Sequence, residues 1–258
     1  MRERGTNKES TADPAANRYA GPDFEGTGRS AVLTEIASHF PPGVGVATLV
    51  PEGCNRPLFL EEKALIVGTA EIRRHHFTAG RTCAREALRQ IGGPAVPLLR
   101  SANGAPIWPS GYVGSITHSQ GICCAVAASA LEVEAVGIDA ELLTTLDLDV
   151  VRMICRPNEM ENIAALSDPN DGLWPLLTFS AKEAFYKCFS SITDHFLEFR
   201  DVSVRFCTLE PGKRGTFSIT IEAPAVPNFG LAQRVFGSWC RTESYVFTAV
   251  LSAAIVST

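Results

Sequence analysis

Two carboxylates stand two residues apart in the segment VGIDAE, residues 136–141. On a strand, Asp139 and Glu141 point to the same face, about 6.5–7 Å apart along the chain. Two acids so placed can share one hard cation, which wants oxygen ligands. A solvated strand face gives the same pattern. A third acid lies downstream in FSAKEAFYKC, residues 179–188. There Glu183 and Lys187 are four residues apart and share one helix face. They make either a surface ion pair of a few tenths of a kcal/mol or a third carboxylate with a lysine one turn away. In the second case the lysine would face phosphate oxygens as a point charge.

Two further segments add groups suited to anions. SITHS, residues 115–119, follows a turn-rich PIWPSG and places His118 between hydroxyls, with Thr117 just before it. A histidine so flanked can donate to a phosphate, and it can equally be structural. RRHHFTAGR, residues 73–81, carries Arg73 and Arg81 eight apart, which returns close to one helix face after two turns. Two guanidiniums there can hold a phosphate group, or form a solvated basic face.

The elements that must position these groups follow from period and punctuation. Residues 32–37 read as a short helix and 45–50 as a strand. Residues 60–91 carry apolar residues at helical spacing, with Gly68 and Gly80 as points of bending and Gly92-Gly93 as the stop. Residues 94–111 are a Pro- and Gly-rich loop. Strands are expected at 113–118, 122–128 and 133–141, helices from 147 to 190, and strands at 201–207, 216–222, 232–240 and 245–251. The expected fold class is α/β (α+β), with two α/β halves in tandem, residues 31–141 and 142–258. Both halves read as helix followed by strands, which allows a pseudo-twofold arrangement. Residues 1–30 have no periodicity and read as a disordered tail; their five acids argue against a transit peptide.

Composition narrows the class. Of 258 residues, 45% are apolar and 20% charged, an ordinary globular balance. A net charge of −5 argues against a broad nucleic-acid surface, although a local basic pocket remains compatible with it. No apolar run reaches the ~18 residues of a membrane span. The eight cysteines form no CxxC pair. They read as reduced, buried small hydrophobes, with Cys123 and Cys124 on opposite strand faces.

The ordered series RR..F..GR.CAR.AL, GAPIWPSGYVGSITHS, VGIDAE and FSAKEAFYK, spanning roughly residues 60–210, resembles the 4′-phosphopantetheinyl transferases. The branch it looks most like is the enterobactin-synthetase type, within the surfactin-type superfamily branch, used with siderophore, polyketide and nonribosomal-peptide systems. The resemblance implies transfer of 4′-phosphopantetheine from coenzyme A to a serine of an apo acyl or peptidyl carrier protein, releasing 3′,5′-ADP. It implies Mg²⁺, with Mn²⁺ as a substitute, on Asp139, Glu141 and Glu183. Glu183 and Lys187 are the implied catalytic pair. Arg73, Arg81, His118, Thr117, Lys182 and Lys187 are implied to hold the coenzyme. One departure is Asn103, at a position where several relatives carry a basic residue. The implied protein is a cytoplasmic monomer with no nucleic-acid partner and no membrane insertion. Two other readings stay open: a non-catalytic coenzyme A or carrier-protein binding module on the same fold, and a Mg²⁺-dependent phosphate-ester hydrolase.

Overall fold

A computed structural model describes residues 27–166, 172–193, 195–222 and 234–253. The tail expected over residues 1–30 lies outside the described residues up to 26, and helix α1 begins at Thr27 (Thr27–Ala37), ahead of the expected start of order. Strand β1 (Gly45–Leu49) follows. The region 60–91 is two helices, α2 (Leu60–Ala64) and α3 (Glu71–Gln90). Gly68 separates them at φ +74°, a left-handed conformation that favours glycine. Gly80, by contrast, sits inside α3. Strands β2 (Tyr112–Ser119), β3 (Ile122–Ser129) and β4 (Val133–Leu142) come next. Helices α4 (Leu148–Ile154), α5 (Pro157–Leu166) and α6 (Leu173–Phe189) precede four strands. These are β5 (Val202–Glu210), β6 (Arg214–Ile221), β7 (Arg234–Arg241) and β8 (Tyr245–Ala253).

The strands form two antiparallel sheets, ordered β1-β3-β2 and β4-β8-β7-β6-β5. Strand β4, read from sequence as the last strand of the N-terminal half, hydrogen-bonds to β8 and so belongs to the C-terminal sheet. It still packs against β2 of the first sheet. The seam between the sheets therefore runs between β2 and β4.

Helix α3 covers the first sheet. Its Ala79, Cys83, Ala84 and Ala87 meet Ala47, Cys123, Ala125 and Ala127. Small side chains on both surfaces let the helix lie close to the strands. Helix α6 covers the second sheet and buries Leu176, Leu177, Phe185 and Phe189. Each such side chain is worth ~1.5–3 kcal/mol of burial. Cys123 joins the core under α3, while Cys124 joins the core between the sheets. All eight cysteines are free, and only Cys207 is exposed.

Candidate active site

Strand β4 and helix α6 meet unusually closely. A side chain on Gly137 would run into the carbonyl of Ala184 and the amide of Cys188, so the glycine of VGIDAE is what lets the helix backbone rest on the strand. That contact carries Lys187 onto Asp139. The Lys187 ammonium donates to Asp139 Oδ1 at 2.6 Å, to Thr117 Oγ1 at 3.1 Å and to the Ile138 carbonyl at 3.2 Å. Thr117 in turn donates to Asp139 Oδ1 at 3.0 Å, and Ser119 donates to Glu141 Oε2 at 3.3 Å. Strand β2 thus supplies hydroxyls to both acids of β4 across the seam.

The acids are held under electrostatic stress. Burial, then the neighbouring Asp139, pushes the Glu141 carboxyl up to about 7, against the opposing pull of Lys187 and Ser119. Burial also raises Glu183, with Lys187 opposing and Asp139 reinforcing. Asp139 is 3% exposed, and its Oδ2 is buried without a hydrogen-bond partner. A buried carboxylate oxygen that lacks a donor is costly. An all-oxygen set with one unpaired buried atom and excess negative charge suits a hard divalent cation.

Beside the acids a pocket of about 510 Å³ opens, lined by Arg73, His76, Phe77, Arg81, Arg100, Pro106, Ile116 and His118 among others. Arg81 is buried, donating through Nε to the Leu98 carbonyl at 2.6 Å and through Nη2 to the Leu99 carbonyl at 3.3 Å. Buried Glu62 helps by accepting from the Leu98 amide at 3.0 Å and from Arg85 at 2.8 Å. Together they fasten the Pro- and Gly-rich loop to α3. The guanidiniums of Arg81 and Arg100 both stack on Phe77, at 4.4 and 5.2 Å from its centroid. Desolvation lowers Arg81 to about 10, with Glu62 opposing and Arg100 and Arg85 adding to the fall. Cations crowded at one wall favour an anionic ligand. His118 faces the same pocket, its Nδ1 3.3 Å from Nδ1 of His76, while His76 Nε2 lies 3.8 Å from Glu52. Desolvation, then His76 and Lys187, lowers the His118 pKa.

The structure brings Arg73, Arg81 and His118 to this pocket, and Asp139, Glu141, Glu183 and Lys187 into mutual electrostatic contact. Two expected coenzyme contacts are placed differently. Thr117 points away from its strand neighbour His118 and is spent on Asp139 and Lys187. Lys182 is fully buried on the other side of α6, donating to Glu159, the Ile154 carbonyl and the Phe199 carbonyl, each at 2.8 Å. Its three N–H donors are consumed there, so it is an internal tie and not a ligand contact. Arg100 and His76 are pocket residues that the sequence reading missed. Arg100 lies in an aperiodic loop, brought round by its bridge to Pro106. For His76, the signal was its place one turn before Gly80 and Arg81 on the same helix.

An acid cluster on a close strand–helix contact, with a cationic pocket walled by α3, the 100–106 loop and β2 nearby, is an arrangement suited to phosphate esters. Residues 61–128 match the 4′-phosphopantetheinyl transferase N-terminal domain, and residues 135–228 the 4′-phosphopantetheinyl transferase superfamily. The chain is 37% identical over 203 residues to the 4′-phosphopantetheinyl transferase Svp of Streptomyces mobaraensis, covering 78% of this chain and 81% of that protein. It is 34% identical over 224 residues to the 4′-phosphopantetheinyl transferase Npt of Nocardia iowensis, covering 81% and 100%. Similarity to enterobactin synthase component D of Salmonella typhi is shorter, 35% over 123 residues, covering 46% and 49%. The chain belongs to the 4′-phosphopantetheinyl transferase superfamily.

Proposed function

We propose that this protein transfers 4′-phosphopantetheine from coenzyme A to a serine hydroxyl of an apo acyl or peptidyl carrier protein. The observation that carries this reading is the Lys187–Asp139–Thr117 contact, because Thr117 adjoins in β2 the His118 that lines an arginine- and histidine-rich pocket. The pocket suits the 3′-phosphate and pyrophosphate of coenzyme A, with Arg73, Arg100 and His118 as donors and Arg81 holding the wall.

In the transfer, the serine oxygen bonds to the phosphorus that carries pantetheine. The bond from that phosphorus to the bridging oxygen breaks, and 3′,5′-ADP leaves. Glu183 is the group we assign to take the serine proton, since burial raises its basicity. Lys187 faces the leaving phosphate and balances the charge that grows there. Asp139, Glu141 and Glu183 are the residues that would hold Mg²⁺, or Mn²⁺ in its place. Such an ion supplies charge neutralisation to the pyrophosphate.

Unpaired cysteines support a reducing compartment such as the cytoplasm. No helix among the described residues is long and apolar enough to cross a membrane.

The test is product release from coenzyme A with and without an apo carrier domain. We expect 3′,5′-ADP only when the acceptor serine is present. Equal release without acceptor identifies a hydrolase instead, and coenzyme binding with no release under either condition identifies a binding module.

A further inference from the structure

A second group of ligand-type side chains lies outside the pocket. Glu35 sits in α1 and His39 four residues on, just past its end, so both present toward one side. Cys240 sits in β7 and is fully buried. One ligand atom from each of the three lies within 4.8 Å of the other two, the one group of three such side chains this close among the described residues. We propose that Glu35, His39 and Cys240 form a site for a borderline-soft divalent cation, zinc, distinct from the oxygen cluster of Asp139, Glu141 and Glu183.

Three observations support it. The ligand chemistry is sulfur, nitrogen and oxygen, which suits Zn²⁺ and not Mg²⁺. His39 Nε2 is buried with no hydrogen-bond partner, a vacancy in its bonding that native structures seldom leave. Arg214 stands opposite Cys240 in the β6–β7 register. Burial, then Glu35, pushes the Cys240 thiol well up with only Arg214 opposing, whereas burial, then Arg214, lowers His39 to about 4. The imidazole is thereby kept neutral, the form that binds metal. Burial is the larger effect on each and holds the thiol protonated in the metal-free protein, so metal uptake releases a proton.

Ligands of one tetrahedral zinc stand about 3.5 Å apart, so the three side chains must draw in slightly. Glu35 and His39, both half-buried at a helix end, have the freedom to do so. A metal there would clamp the N-terminal helix, whose Val32 and Ile36 enter the core between the sheets, to the C-terminal sheet. A small cavity lined by both His39 and Asp139 separates this clamp from the acid cluster.

The experiment is a Co²⁺ titration of the metal-free full chain in excess Mg²⁺, read in the near ultraviolet. One equivalent should give a thiolate-to-cobalt charge-transfer band, which oxygen ligands do not produce. The band should vanish in Cys240→Ser and His39→Gln and weaken in Glu35→Gln. Saturating Zn²⁺ should raise the wild-type melting temperature by about 5 °C and leave Cys240→Ser unmoved. If Cys240→Ser fails to fold, the band in His39→Gln, at a half-buried position, decides. No band in the wild type, or a band that survives either Cys240→Ser or His39→Gln, overturns the proposal.

Discussion

The Lys187 ammonium lies 2.6 Å from the Asp139 carboxylate, joining helix α6 to strand β4 at the seam between the sheets. The pair is completed from the other side by Thr117, which donates to the acid and accepts from the lysine. Lys187 is 29% exposed and Asp139 only 4% by side chain, so the contact has a buried acid and an accessible cation. The cation is therefore available to a phosphate without dismantling the core.

Lys187→Ala should lower kcat by ~10²–10³-fold while leaving the coenzyme affinity within a few-fold, because its charge matters most as the leaving phosphate gains charge. Single-turnover transfer and calorimetry of coenzyme A binding separate the two quantities. Normal turnover at saturating coenzyme, with lost binding, would reduce Lys187 to a ground-state anchor.

Glu141 gives a pH signature in the metal-free protein. Its carboxyl is raised to about 7 from 4.5, so between those values the folded protein holds a proton that the unfolded chain has released. Stability from this group is fully present below pH 4.5, declines as pH rises through 7, and stays lower above. Glu141→Gln removes that penalty and should raise the melting temperature at pH 8 more than at pH 5, while impairing transfer. Melting curves of both proteins in EDTA check this; an equal shift at the two pH values would show that the acid is not under strain.

Arg100 and Arg81 should part company. Arg81→Ala loses two bonds to the Leu98 and Leu99 carbonyls and should lower the melting temperature. Arg100→Ala, at an exposed position, should leave it nearly unchanged. Arg100→Ala should weaken coenzyme A more than dephospho-coenzyme A, since Arg100 lines the cationic pocket. Equal loss for both ligands would move Arg100 to the pyrophosphate.

Lys182→Met should cost ~3–5 kcal/mol by denaturant titration, because Glu159 would stay buried without its cation. Glu159 also accepts from the Arg156 and Val204 amides at 2.6 Å each, so it cannot simply turn out to solvent. A loss under 1 kcal/mol would mean that these amides alone satisfy the acid.

Lys182 also shows where sequence reading stops. Spacing along α6 brought Glu183 and Lys187 to one face correctly, since both positions are local to one helix. The inward turn of Lys182 depends on Glu159, in another helix, and on two carbonyls from other segments. The same holds for Arg81: its spacing from Arg73 was legible, whereas its carbonyl partners lie in a loop without periodicity. Strand β4 was recognisable as a strand from its alternation. Its partner β8 begins over a hundred residues later, at Tyr245, and no short-range signal announces that pairing. The glycine of VGIDAE looked like part of a motif; its reason is the backbone of α6 pressed against it.

The central claim is covalent transfer that depends on the acid cluster. The most direct measurement is the intact mass of an apo carrier domain after incubation with this protein, coenzyme A and Mg²⁺. It should be made with the wild type, with Asp139→Ala, and with the wild type in excess EDTA. The account predicts a gain of one phosphopantetheine with the wild type alone, and none with Asp139→Ala or in EDTA. Full modification by Asp139→Ala, or undiminished modification in EDTA, would contradict it.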